Sequence, residues 1–411
     1  MTNVAEFELS TPSRDTASRW ARVFTLVFFA YVVAVTAIKI NAVTYGLALA
    51  LTPIAFYFAL GVSGQRGLAG MPWAVVFVLF WIVLSALWSP TPQTTLIKAL
   101  VCAAVVCTIY WSVTAIGVAQ IVARLGLILF LCLAFQYAMV FFSATGVHSE
   151  NQSFLRGAWR GAFAHKNEAG ALVGATMIWF AWAFGVRRSW FNLTGLVLAA
   201  VFLYNSNSVS SILLTALGLS MLFIAPSPRN SRLAKPLKVL LLIVVAVVGL
   251  IFLFDPVVQS RIFDDPLALT GRVGLWKAAY GFWLENPVIG GGFRSVFSNN
   301  FVDLTAYAET AYTFLAPHPH NAYLDLLAGT GLIGFTVAVF AFVLTPLVLV
   351  IRIPTLGFSD PMTACFGIFV FLSVRALLEG NILQFDNAGW FLFALVTALI
   401  FKNSQDISRK V

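Results

Sequence analysis

Pro317-His318-Pro319-His320-Asn321-Ala322-Tyr323-Leu324-Asp325-Leu326-Leu327-Ala328-Gly329-Thr330-Gly331-Leu332-Ile333-Gly334 joins two kinds of sequence. Before it lies a polar segment, residues 255–321, which carries Arg261, Arg272, Lys277, Arg294, His318 and His320 among several tryptophans and tyrosines. After it the chain stays apolar as far as Ile351. A helix needs about 20 apolar residues to cross the hydrocarbon core of a bilayer. The run 322–351 is long for one crossing, so it predicts a tilted helix or one whose first turns stand clear of the lipid.

Working outward from this junction, the whole chain has the same character. Of its 411 residues 60% are hydrophobic and 10% are charged, against about 25% charged in a soluble domain. The mean hydropathy is +0.91. This composition predicts an all-α polytopic membrane protein with about twelve spans. The runs lie at 22–39, 42–61, 72–88, 94–116, 125–144, 168–185, 190–206, 209–226, 238–254, 322–351, 361–380 and 388–402. The first residues are polar and the first apolar run is long, so no cleavable signal peptide is expected. The net charge of +9 points to basic membrane-flanking loops rather than to nucleic acid. Cys102, Cys107, Cys132 and Cys365 lie inside apolar runs without metal-ligand spacing and read as small hydrophobes.

Basic residues favour the cytoplasmic side of short loops. With a cytoplasmic tail at 1–21, the inner connections hold Arg66, Arg124, Arg187 with Arg188, the group Arg229, Arg232, Lys235 and Lys238, then Arg352. Lys402, Arg409 and Lys410 flank the final tail, 403–411. The outer connections 89–93 and 205–208 are neutral. The expected organisation is nine spans over 22–254 with an outer loop at 145–167, a long periplasmic loop at 255–321, and three last spans over 322–402. Loops 145–167 and 255–321 break the charge rule, because both carry cations on the outside. They are candidates for binding an anionic substrate. A plainer reading is contact with lipid phosphates or pairing with Asp264, Asp265 and Glu309.

Four groups of residues carry possible chemistry. Arg156-Gly-Ala-Trp-Arg160-Gly-Ala-Phe-Ala-His165-Lys166-Asn167-Glu168 precedes the sixth span. Free N–H groups at that helix start, with Arg160 and Lys166, would favour an anion. Thr270-Gly-Arg272-Val-Gly-Leu-Trp276-Lys277 opens a short aromatic helix, read as interfacial, with Trp276, Tyr280 and Trp283 at headgroup level. Arg272 is unfavourable at a helix N-terminus, which suggests another use, and a guanidinium fork suits phosphate oxygens. His318 and His320 are spaced i, i+2, which a metal could use only with further ligands. A neutral imidazole before a helix suits a general base better. Arg375 and Glu379, spaced i, i+4, read as a self-neutralising pair. Gly290-Gly-Gly292 follows Asn286-Pro287 and reads as a turn, since no Lys-Ser/Thr follows to make a phosphate loop.

Taken together, Gly271-Arg272, Trp276, Glu285-Asn286-Pro287, Gly290-Gly-Gly292-Phe293, His320-Asn321-Ala-Tyr323-Leu324 and Gly331-Leu-Ile-Gly334 resemble the O-antigen ligase and polymerase superfamily of bacterial inner-membrane proteins. Arg160-Gly-Ala-Phe-Ala-His165-Lys166-Asn167 resembles a second motif of its exopolysaccharide-producing members. The resemblance covers roughly residues 156–335. It implies a multi-span glycosyltransferase that takes a glycan from undecaprenyl diphosphate at the periplasmic face. The acceptor is a sugar hydroxyl, on lipid A-core in a ligase or on another lipid-linked glycan in a polymerase. It implies His320, Arg272 and Arg160 as catalytic residues, with Arg156, Lys166, Arg261, Asn167 and Asn321 binding the diphosphate. Membrane lipids are the surroundings. No metal, cofactor or nucleic acid is expected, and the inner membrane is the expected location.

The residues fit that chemistry. A diphosphate leaves with developing negative charge, which fixed arginines stabilise without a metal. Direct attack on the anomeric carbon inverts it. Two other classes compete. A lipid-linked glycan transporter would show broken helices in two repeated halves, and no repeat is visible. A non-catalytic scaffold would need no converging cations.

Overall fold

The computed structural model describes residues 14–33, 46, 50–57, 70–149, 155–224, 272–297, 318–353, 357–380 and 382–408. Its helices are α1 (Arg14–Val33), α2 (Trp73–Leu84), α3 (Pro92–Ile116), α4 (Val118–Phe142), α5 (Lys166–Val186), α6 (Trp190–Asn205) and α7 (Val209–Ile224). They continue with α8 (Arg272–Glu285), α9 (Ala322–Arg352, with a π turn at Phe340–Leu344), α10 (Pro361–Arg375) and α11 (Ala388–Ser408). No strand occurs among the described residues. The all-helical expectation therefore holds.

Four of these helices, α3, α4, α5 and α9, are long and apolar enough to cross a membrane. The helix Trp73–Leu87 and α6, α7 and α10 are apolar but shorter. The expected ninth span at 238–254 and most of the 255–321 loop lie outside the described residues.

Helix α5 is the hub of the bundle and packs against α4, α6, α7, α10 and α11. Its small residues allow this. A Cβ on Gly170 would stand 2.1 Å from the Ser211 hydroxyl of α7, so glycine there sets how closely α7 approaches. Small residues at helix contacts serve the same end throughout membrane bundles, where van der Waals packing replaces the hydrophobic drive.

The described connections at 85–95, 143–149 with 155–165, 205–208, 286–297, 318–321 and 376–380 with 382–387 meet at one end of the bundle. Phe293 N–H donates to the Ser85 hydroxyl, Trp159 N–H to the Asn205 carbonyl and Ala322 N–H to the Ala376 carbonyl. These are the connections that the charge rule assigns to one side. Gly117, Arg187 and Arg352 lie at the opposite ends of their helices.

Two glycine motifs that are distant in sequence form one device here. Gly331 breaks α9 with φ 64°, a left-handed conformation that glycine adopts without steric cost. The break frees backbone groups that must find partners inside a bilayer. Leu332 and Ile333 N–H donate to the carbonyls of Pro287 and Val288. The carbonyls of Ala328 and Gly329 accept from Gly291 and Gly292, both at 2.9 Å. The Thr330 carbonyl accepts from the Trp81 indole. The Gly290-Gly-Gly292 turn is thus a backbone patch for an opened helix. Gly290 N–H returns to the Asn286 carbonyl, as expected of a turn.

Candidate active site

The first turn of α9 is locked to the end of α10. Besides the Ala322–Ala376 bond, the Tyr323 hydroxyl donates to the Ser373 carbonyl at 2.9 Å. Asn321 caps α9, its side-chain oxygen accepting from Tyr323 and Leu324 N–H. Immediately before the cap, His320 has φ 51°. That is a strained choice for a residue with a Cβ, and such strain collects at functional sites. His318 supports the turn, since its Nδ1 accepts from His320 N–H and the two rings lie 4.4 Å apart.

This turn points His320 at Glu379, a residue 5% exposed in the segment that follows α10. Glu379 Oε2 lies 3.2 Å from His320 Nδ1. Its Oε1 accepts from the Arg272 guanidinium at 2.6 Å and from the Asn167 amide at 2.7 Å. Burial acts to raise the Glu379 pKa. The His320 hydrogen bond and the guanidiniums of Arg375 and Arg272 outweigh it, and hold the carboxyl well below the usual carboxylate range. Arg375 is itself buried and donates to the Asn167 backbone carbonyl. The other end of the Asn167 amide meets the Ser208 hydroxyl at 2.9 Å.

Three residues selected from sequence, Arg272, His320 and Asn167, therefore converge on one carboxylate. The sequence reading of Arg375 and Glu379 as a self-contained pair is corrected. The helix ends at Arg375, whose guanidinium turns to Asn167, while Glu379 collects donors from three other elements. Sequence singled out Arg375 and Glu379 only as a pair with each other, and Ser208 only within a neutral connection. The available signal was an acidic residue at the end of an apolar run, which marks a functional site by default.

The neighbouring loop is built differently. Gln136, on α4, accepts from Ala162 N–H and holds the loop from below. Arg160 donates to the carbonyls of Thr145 at 2.7 Å and Ala164 at 3.0 Å. Lys166 Nζ donates to the Asn207 carbonyl at 3.0 Å. Arg156 sits on an exposed turn. Arg261 lies outside the described residues.

The expected cradle of free N–H groups at the start of α5 is absent. Lys166 N–H is taken by His148 Nε2, Asn167 N–H by His165 Nδ1, and Glu168 and Ala169 N–H by the His165 carbonyl. Burial pushes the pKa of His165 down to about 4, with the Glu379 charge opposing. Burial, then the charges of Arg160 and Lys166, push His148 down to about 4. Both rings are neutral acceptors. The side-chain oxygen of Asn321 is used in capping α9.

Helix α8 presents Arg272 at its first position. Its inner face is Val273, Leu275, Trp276 and Phe282, all buried, while Tyr280 is exposed. Trp276 is therefore packed within the protein rather than set at headgroup level. Among the described residues, no group of three His, Cys, Asp or Glu side chains is placed to hold a metal ion.

Residues 194–339 match the O-antigen ligase family. That stretch includes Arg272, both glycine motifs, His320 and Asn321. A second comparison finds similarity to the "Exopolysaccharide production protein ExoQ" of Rhizobium meliloti (strain 1021), 27% identical over 247 residues, 56% of this chain. The chain spans 56% of that relative's length. Both findings support a likeness to the O-antigen ligase and polymerase superfamily over these stretches. The long apolar helices agree with a multi-pass membrane protein. Arg160, Asn167 and Glu379 lie outside the matched stretch, and the structure joins two of them to it.

Proposed function

We propose that this chain is an O-antigen ligase-type glycosyltransferase, moving a glycan from undecaprenyl diphosphate to a sugar hydroxyl of an acceptor such as lipid A-core at the periplasmic face of the inner membrane. The observation that carries the reading is the meeting of Arg272 and His320 at one end of an apolar bundle. One supplies fixed positive charge and the other a titratable nitrogen.

In the proposed reaction His320 takes the proton of the acceptor hydroxyl. That oxygen bonds to the anomeric carbon from the face opposite the diphosphate. The bond from the anomeric carbon to the phosphate oxygen breaks, and the diphosphate leaves with the electron pair, so the configuration inverts. Arg272 stabilises the departing charge. One of its five N–H donors faces Glu379, and others remain for phosphate oxygens. Arg160, Arg156, Lys166 and Arg261 add attraction for the anion. The charge is met by guanidinium groups, so the reaction runs without a metal.

A second reading has a specific observation behind it. The relative named for exopolysaccharide production favours a polymerase, in which the acceptor is itself a lipid-linked glycan. Transfer in membranes, with donor extracted from the source bacterium and either lipid A-core or a second lipid-linked glycan as acceptor, separates the two. Activity in excess EDTA is expected with either acceptor. Loss with EDTA and recovery on adding Mg²⁺ or Mn²⁺ would refute the metal-free reaction.

A further inference from the structure

We propose that Glu379 is a positioning residue of this site: its carboxylate fixes His320 in the tautomer with the proton on Nδ1, leaves Nε2 to take the acceptor's proton, and holds Arg272 in register with that ring. This rests on the transfer reading above. An ionised carboxylate is only an acceptor, so the His320 nitrogen 3.2 Å from Oε2 must donate. A neutral imidazole has one N–H, so Nε2 then carries the lone pair.

The surroundings keep the carboxylate ionised and still. Oε1 has two donors, Arg272 and Asn167, from α8 and α5. The charged and titratable groups around Glu379 are Arg272 on α8, Arg375 on α10, His165 and Glu168 at the start of α5, and His318 beside His320. Arg294 acts on His318 from the 286–297 connection. His318 does not compete for the role, because its Nδ1 already accepts from His320 N–H.

The proton balance follows from the geometry. The acceptor's proton goes to Nε2 as the new glycosidic bond forms, and the imidazolium is stabilised by the carboxylate on its other side. It then passes the proton to water. A carboxylate serving in this way need not itself be protonated, and an amide in its place presents N–H to the ring and favours the wrong tautomer.

The test uses Glu379→Gln, Glu379→Asp and His320→Ala in the full chain. Turnover is measured with lipid-linked donor across pH, and donor-site binding with undecaprenyl diphosphate alone. In Glu379→Gln the turnover should fall by about 10²–10⁴, with binding of undecaprenyl diphosphate changed by no more than about threefold. The acid inflection of the residual rate should move to lower pH, because removing an anion beside an imidazolium lowers its pKa. Glu379→Asp keeps the acceptor and should recover at least tenfold over Gln. If Gln is not recovered from membranes, Glu379→Ala, which also removes the anion, takes its place in the pH test. A displaced inflection with binding retained supports the assignment, and an unmoved one overturns it. Near-normal turnover in Glu379→Gln with His320→Ala inactive would sink this role and leave His320 as the base. Lost binding with normal saturated turnover would mean that Glu379 only holds Arg272. Full activity in His320→Ala would instead remove the transfer mechanism itself.

Discussion

Two regions at the same end of the bundle use their cations in opposite ways. In the loop before α5, Arg160 donates to the neutral carbonyls of Thr145 and Ala164. Around Glu379, Arg272 faces a carboxylate at 2.6 Å. A carbonyl fixes a guanidinium in place and leaves its charge uncancelled. A carboxylate fixes it and offsets the charge. The first arrangement suits long-range attraction of an anion. The second suits orientation, because Arg272 and the His320 ring share one rigid acceptor. In sequence both regions look the same, as cations in an extramembrane loop.

The largest effect expected from this difference is at His320. His320→Ala should lower turnover by about 10²–10⁴ while undecaprenyl diphosphate still binds. His318→Ala, which removes only a support of the turn, should cost far less. Steady-state assays with donor affinity measured separately compare the two. Equal losses would show that the turn, and not the ring of His320, is what matters.

Arg272→Lys comes next. Lysine keeps the charge but loses the planar fork that reaches Glu379 and a phosphate together. Losing one transition-state donor typically costs about 10²–10³ in rate, so Lys should be nearly as damaging as Ala. Near-normal turnover by the Lys variant would reduce Arg272 to a generic charge and erase its contrast with Arg160.

Arg160→Lys should do less, and to a different constant. Charge is kept, so saturated turnover should survive, while the apparent donor KM rises by up to about tenfold as the loop loosens. A loss confined to turnover would move Arg160 into the same class as Arg272.

The helical runs were legible in sequence because each is a property of composition over many residues. Arg272 and His320 could be singled out because each stands in a local motif, but their sharing of one carboxylate could not be read. Glu379 was not legible as that carboxylate. Its spacing from Arg375 pointed to a local pair, but its donors come from residues 107 and 59 positions away, and only the folded bundle sets them together. The free N–H cradle at α5 failed for the same reason. His148, which closes it, is 18 residues from Lys166 and reaches it through the Val147–Trp159 bridge. The pairing of the Gly290 turn with the Gly331 break was equally invisible, since each glycine motif satisfies the backbone of the other.

The smallest effect concerns pH, and it separates the two regions again. His148 and His165 hold the start of α5 as neutral acceptors, and both have pKa values pushed down to about 4 from 6.5. The opened loop therefore binds more protons than the closed loop between those values. By linkage, closure is fully stable above pH 6.5 and weakens as the pH falls through about 4. Hydrogen exchange of peptides covering 155–167 should quicken over that acid range, while the α9 segment after His320 changes less. His165→Asn supplies an N-cap acceptor that does not titrate, so it should flatten the exchange profile of the loop. If the profile kept its slope in that variant, the acid sensitivity would belong to His148 or to the Glu379 cluster, and the neutral caps of α5 would not be what holds the Arg160 loop in place.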